Sequence, residues 1–293
     1  MNNKLWLKTF LMANIMALGA CATHTEEPKD ATSAAQESAQ PLTLYVFDCG
    51  NILTKDVSMF SPGVDQGKEK ELTDSCYLIR HPKGDMIWDT GLPDQIGEQG
   101  IDAFEGKFHM SVSHPLSEQL AQINVDPGDI KLLGISHFHS DHTGNANLFK
   151  NAELIIQQEE YDAAFGEQPE QYGFNPASYS ELDRSKIKIV EGDYDVYGDG
   201  SVIIKRAVGH TPGHQMLFLK LAETGPVFLS GDLYHFTSNR VHQRVPAFNF
   251  SKEQTLESMK AMEAFSKENG AQMWIQHDKE QNETIRHSPE FYQ

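Results

Sequence analysis

The stretch "SHFHSDHTGN", Ser136–Asn145, sets three histidines and an aspartate within the six positions from His137 to His142. It follows directly on "IKLLGIS" (130–136), an apolar run without alternation, as expected of a strand covered on both faces. In extended chain His137 and His139 project to one side and Phe138 to the other. Asp141 and His142 are adjacent and must point differently. One pair can therefore hold one metal ion while the next holds a second close by. Imidazole and carboxylate donors suit zinc, and also iron, cobalt or manganese. A patch of solvated surface histidines explains neither the strand-end position nor the tight spacing.

Three further stretches carry donors at strand exits, where α/β folds place their chemistry. "AVGHTPGHQ" (207–215) offers His214 after a Pro-Gly turn, "LSGD" (229–232) ends an apolar strand at Asp232, and "WIQHD" (274–278) ends the last apolar strand at His277. Strands are expected at 42–50 and 74–91, the latter turning at "HPKGD", and at 216–232, turning at "AETGP". Helical spacing marks 114–125, with Leu116, Leu120 and Ile123 on one face. The run 251–270 reads as an amphipathic helix capped by Ser251 and stopped at Gly270. The order of elements suggests two sheets, each covered by helices, in one α/β domain.

The 293 residues carry a formal net charge of −18, which argues against a phosphate-backbone partner, so no nucleic acid is expected. The first 21 residues read as a secretory signal peptide, with Lys4 and Lys8 ahead of a short apolar run. "LGAC" (18–21) resembles a bacterial lipobox, which implies lipidation at Cys21 and a membrane contact through a lipid anchor alone. Ala22 follows Cys21, so the expected location is the periplasmic side of the outer membrane. Residues 22–41 are small and polar and read as a flexible tether to a domain spanning 42–293. Cys49 and Cys76 lie in apolar strands, where cysteines are more often plain buried residues, so no bond is expected although an oxidising compartment would permit one.

Taken in order, "HFHSDH", "TPGH", "SGD" and "WIQH" resemble the metallo-β-lactamase fold superfamily, and "WDTGLP" (88–93) resembles its early strand-turn element. The resemblance covers about residues 42 to 281. It implies a four-layer αβ/βα sandwich with two divalent metal ions, Zn2+, at one edge. Carried over, His137, His139 and His214 hold the first ion, Asp141, His142 and His277 the second, and Asp232 bridges them. Asp89 and His210 are expected to orient ligands.

"GHTPGHQ", "SGDLYHF" and "WIQHDKEQ" resemble the N-acyl-homoserine lactonase, or quorum-quenching, branch. That branch implies a hydrolase that opens a lactone ring by attack of a hydroxide held between the metals. Tyr234 is expected near the substrate carbonyl, and Asp141 is expected to deliver the proton. Phe104, Phe108 and Met110, on the 101–115 segment, are expected to wall an acyl-chain pocket. Members of that branch are often dimers, which leaves a homodimer open. A glyoxalase-II-like thioesterase, another lactonase or esterase of this fold, or a non-catalytic zinc-binding lipoprotein are the alternatives.

Overall fold

The computed structural model describes residues 41–293; the signal peptide, Cys21 and nearly all of the tether lie outside them. Two sheets carry the chain. The larger is built from β1 (Thr43–Thr54), β2 (Lys70–Arg80), β3 (Met86–Trp88), β4 (Ile101–Ala103), β5 (Phe108–Ser111), β6 (Leu132–Gly134), β7 (Glu153–Gln157) and β8 (Ile187–Val190). Its order is β4-β5-β1-β2-β3-β6-β7-β8. The smaller is built from β9 (Tyr194–Asp195), β10 (Val202–Arg206), β11 (Gln215–Leu221), β12 (Gly225–Leu229) and β13 (Gln272–Trp274), in the order β13-β12-β11-β10-β9. The helices are α1 (Leu116–Gln122), α2 (Ser140–Thr143), α3 (Gln158–Ala164), α4 (Thr237–His242), α5 (Lys252–Asn269) and α6 (Lys279–Asn282).

Alternation along the strands explains the layering, because successive side chains face opposite sides of a sheet. Leu44, Val46, Ile79, Met86 and Trp88 of the large sheet meet Ile204, Leu217, Leu219, Val227 and Leu229 of the small one. Their neighbours Phe47, Leu78 and Ile87 face outward and pack with Leu116 and Leu120 of α1 and Ala163 and Ala164 of α3. On the opposite outer face, Met216, Phe218 and Phe228 pack with Met259 and Met262 of α5. The result is helix, sheet, sheet, helix, as the motifs implied.

The long helix α5 has the expected ends: the Ser251 hydroxyl accepts from the Gln254 N–H, and Gly270 takes the left-handed conformation with φ +62°. Other expectations shift. The segment 101–115 begins as the β4–β5 hairpin, with β5 paired to the end of β1 through Asn51–Thr54. The last strand stops at Trp274, so His277 sits in the turn after it. Cys49 and Cys76 are disulfide-bonded between β1 and β2, with both residues buried. Cys49 falls at the bulge where the β1–β2 register shifts between Asp48 and Gly50, which turns its side chain towards Cys76.

Candidate metal centre

The chain ends of β6, β10, β12 and β13 converge on one edge of the sandwich. After β6 the backbone runs extended through His139 and then turns into the short α2, so His137 and His139 share a side while Asp141 and His142 occupy the next turn. The donors fall into two groups, His137, His139, His210 and Asp232, and Asp141, His142 and His277, with the donor atoms of each within 4.8 Å of one another.

Asp232 joins the groups. Its Oδ2 lies 3.2 Å from His210 Nε2 and 3.6 Å from His137 Nε2, while its Oδ1 lies 3.0 Å from His277 Nε2 and 3.3 Å from His142 Nε2. Each carboxylate oxygen thus faces one half. Asp141 completes the second half, with one oxygen 3.9 Å from His142 Nε2 and the other 3.9 Å from His277 Nε2.

Donor chemistry and spacing fit two divalent cations. The buried His142 Nε2 and Asp232 Oδ1 have no hydrogen-bond partner, although both point into the cluster. Ligand atoms around a tetrahedral zinc lie roughly 3.3 Å apart, close to these separations. Electrostatics agree. For His142 burial opposes the charge, yet Asp232, Asp89 and Asp141 outweigh it and hold the imidazolium well above its usual range. His277 is likewise desolvated but is pushed up to about 9 by Asp232 and Asp141. Asp232 is desolvated too, and the surrounding imidazoles hold it well below the carboxylate range. The carboxylates therefore demand positive charge at this point, and a divalent cation meets that demand while leaving the imidazoles neutral.

The far nitrogen of each donor imidazole is anchored, which fixes ring orientation. His142 Nδ1 meets Asp89 Oδ2 at 3.0 Å, and Asp89 also accepts the Ser136 N–H at 2.6 Å, so Asp89 fixes the His142 ring. His277 Nδ1 meets the Thr73 carbonyl at 2.8 Å, His139 Nε2 the Tyr172 carbonyl at 3.0 Å, and His210 Nδ1 the Asn249 Oδ1 at 2.9 Å.

Two expectations are corrected. His210 and His214 exchange roles. His210 turns Nε2 into the first group, 3.1 Å from His137 Nε2 and 3.0 Å from His139 Nδ1. His214 has no nitrogen to spare: Nδ1 donates to the Ala207 carbonyl at 2.9 Å, and Nε2 accepts the Asp232 backbone N–H at 2.9 Å. Tyr234 also leaves the site. Its hydroxyl donates to Glu263 at 3.0 Å and its ring packs with the α5 cluster. The next residue, His235, turns inward instead, with Nε2 3.1 Å from Asp232 Oδ2 and its ring on the cavity wall. The turn after β12 explains both shifts. Gly231 has φ +48°, and a Cβ there would stand 2.7 Å from His214 Nε2, so only glycine lets the strand end close over His214 and swing residue 235 inward.

A cavity of about 400 Å3 opens onto these donors. Phe104, Phe108 and Met110 line it, joined by Phe60, Tyr172, Phe248 and Phe250 from other loops. Phe174 and Tyr179, which share the aromatic loop of Tyr172, pack into the core instead.

The model of the metallo-beta-lactamase superfamily matches residues 71–268, which take in all the donors but His277. The chain belongs to the metallo-beta-lactamase superfamily. Within it, N-acyl homoserine lactonase AiiA of Bacillus thuringiensis subsp. kurstaki is 30% identical over 256 residues, covering 85% of this chain and 98% of its own. N-acyl homoserine lactonase AttM of Azorhizobium caulinodans is 28% identical over 262 residues, covering 86% of this chain and 98% of its own. A solved N-acyl homoserine lactone hydrolase, with the product N-hexanoyl-L-homoserine bound at its catalytic metal center, superimposes with a TM-score of 0.75 at 27% identity, covering 86% of this chain and 99% of that one.

Proposed function

We propose that this superfamily member is a metal-dependent N-acyl-homoserine lactonase that hydrolyses the lactone ring to the open N-acyl-homoserine. The observation that carries the reading is Asp232, whose two oxygens face two separate donor groups at the floor of an apolar-walled cavity. Zn2+ suits the imidazole-rich donor set, and two such ions supply Lewis acidity and lower the pKa of water.

The chain's own groups do the rest. Water adds to the carbonyl carbon, the bond from that carbon to the ring oxygen breaks, and one proton must travel from the water to the leaving oxygen. Asp141 lines the cavity beside His277, and its carboxylate is placed to take that proton and return it. His235 stands on the cavity wall with its Nε2 turned to the Asp232 carboxylate, and its ring bounds the carbonyl side of the substrate. Phe108, Met110 and Phe60 exclude water from the acyl side. A signal peptide and lipidation at Cys21 complete the reading, holding the enzyme on the periplasmic side of the outer membrane, where a diffusing acyl lactone would be met.

The test is ring-opening of N-acyl-homoserine lactones with short and long acyl chains, followed by proton release in weak buffer. Turnover that a chelator abolishes and that D232A lacks supports the reading. Absence of turnover in metal-loaded protein overturns the lactonase and redirects the search to thioesters.

A further inference from the structure

Glu160 is buried at 1% exposure on α3, behind the metal centre and out of its cavity. A fully buried carboxylate is costly unless its oxygens are satisfied. Here they are satisfied by two different loops. Oε1 accepts the Phe138 N–H at 2.9 Å, and Phe138 is the residue between His137 and His139. Oε2 accepts the Thr211 hydroxyl at 2.8 Å and the Gly213 N–H at 2.7 Å, and both flank the turn that follows His210. A side chain at Gly213 would collide with the Glu160 backbone, so the sequence keeps this approach close.

All three contacts reach the strands of chain that present His137, His139 and His210. None reaches the other half, whose rings are anchored by Asp89 and Thr73. We infer that Glu160 is a positioning residue that clamps the two loops of the first donor group together and so sets the affinity of that half for its metal ion. The inference rests on the two-metal reading of the site.

The experiment is a Co2+ titration of the metal-free protein, followed by visible absorption and by metal count per chain. Wild type should bind two ions. E160Q should keep one at wild-type affinity and bind the other about 10–100-fold more weakly, the cost of losing a partner that orients ligands. H277A, which leaves the first group intact, assigns the absorption bands. Lost lactonase activity in E160Q should return in excess Co2+. Where E160Q does not fold, T211V removes a single contact of the clamp and should weaken the same ion to a smaller extent. Wild-type affinity for both ions in E160Q, or in T211V if that variant decides, overturns the inference, as does equal weakening of both. Binding of fewer than two ions by wild type overturns the two-metal reading, and the clamp with it.

Discussion

Nε2 of His214 accepts the backbone N–H of Asp232 at 2.9 Å and Nδ1 meets the Ala207 carbonyl, so this histidine holds the Asp232 backbone from behind and turns no free nitrogen to the donor cluster. His210, four residues earlier, faces Asp232 Oδ2 at 3.2 Å. H210A should therefore reduce the metal content by one ion per chain and lower kcat/KM by more than the roughly 100-fold that an outer partner costs. H214N should retain both ions and lose about 10–100-fold in activity. Elemental analysis beside steady-state kinetics checks both. A metal count that falls in H214N but not in H210A would return the ligand role to His214.

Tyr234 and His235 separate in the same manner. The Tyr234 hydroxyl is spent on Glu263, which Arg240 also holds at 2.7 Å. Y234F should leave kcat within about twofold and lower stability by about 1 kcal/mol, the net worth of one hydrogen bond. H235F should lower kcat by about 10–100-fold, because His235 Nε2 faces Asp232 Oδ2 and its loss leaves that carboxylate short of a partner. A strong kcat defect in Y234F with a silent H235F reverses this assignment.

Phe104 is 57% exposed at the cavity mouth and packs edge-on to Phe108 with centroids 5.6 Å apart. An acyl chain long enough to reach the mouth covers that ring. F104A should cut kcat/KM for a decanoyl substrate by about tenfold, from roughly 1.5 kcal/mol of lost apolar burial, and leave a butanoyl substrate within about twofold. Equal effects on both chain lengths would show that Phe104 acts on the fold instead.

The disulfide between Cys49 and Cys76 spans 27 residues and ties the neighbouring strands β1 and β2 of the large sheet beneath the Asp89 turn. Loop-closure entropy for that span contributes about 3 kcal/mol. In a domain of this size the C49A/C76A double variant should melt roughly 6–12 °C lower. An unchanged Tm would mean that neither the bond nor the packing of the two sulfurs stabilises the fold.

Much of this was legible in sequence, and the exceptions share a cause. "HFHSDH" declares itself because four donors crowd one strand exit, and the strand period then assigns their sides. The four layers come from the resemblance that the ordered motifs carry, because β2 and β11 are buried on both faces and alternation alone does not settle the layering. Which of two histidines four apart, or which of the adjacent Tyr234 and His235, turns inward depends on backbone dihedrals at Gly231 and in the "GHTPGH" turn. Side-chain identity does not encode those angles. Glu160 escaped notice because one glutamate in "QQEEYDAAF" looks like any exposed helical charge until the loops fold over it. The sheet-edge hairpin at 101–111 was hidden because its pairing partner, the end of β1, lies about fifty residues away.

Burial also gives Glu160 a pH signature that the metal-free protein should display. Desolvation pushes its carboxyl from 4.5 up to about 7, and the hydrogen bonds from Gly213, Thr211 and Phe138 offset only part of that rise. A raised folded-state pKa means that the native protein holds this proton more tightly than the unfolded chain does. Its contribution to stability is thus fully present below about pH 4.5 and is lost as pH rises through about 7. The loss amounts to about 3 kcal/mol across that window. Glutamine is neutral throughout, so metal-free E160Q should gain on wild type by about that amount between pH 5 and pH 8, while the other titrating groups, common to both proteins, cancel in the difference. Urea unfolding at several pH values in the presence of chelator measures it. Parallel curves would show that the donors around Glu160 fully offset its burial. A gain in metal-free stability for E160Q, together with weaker metal binding, would show a carboxylate kept for the metal centre at the expense of the fold.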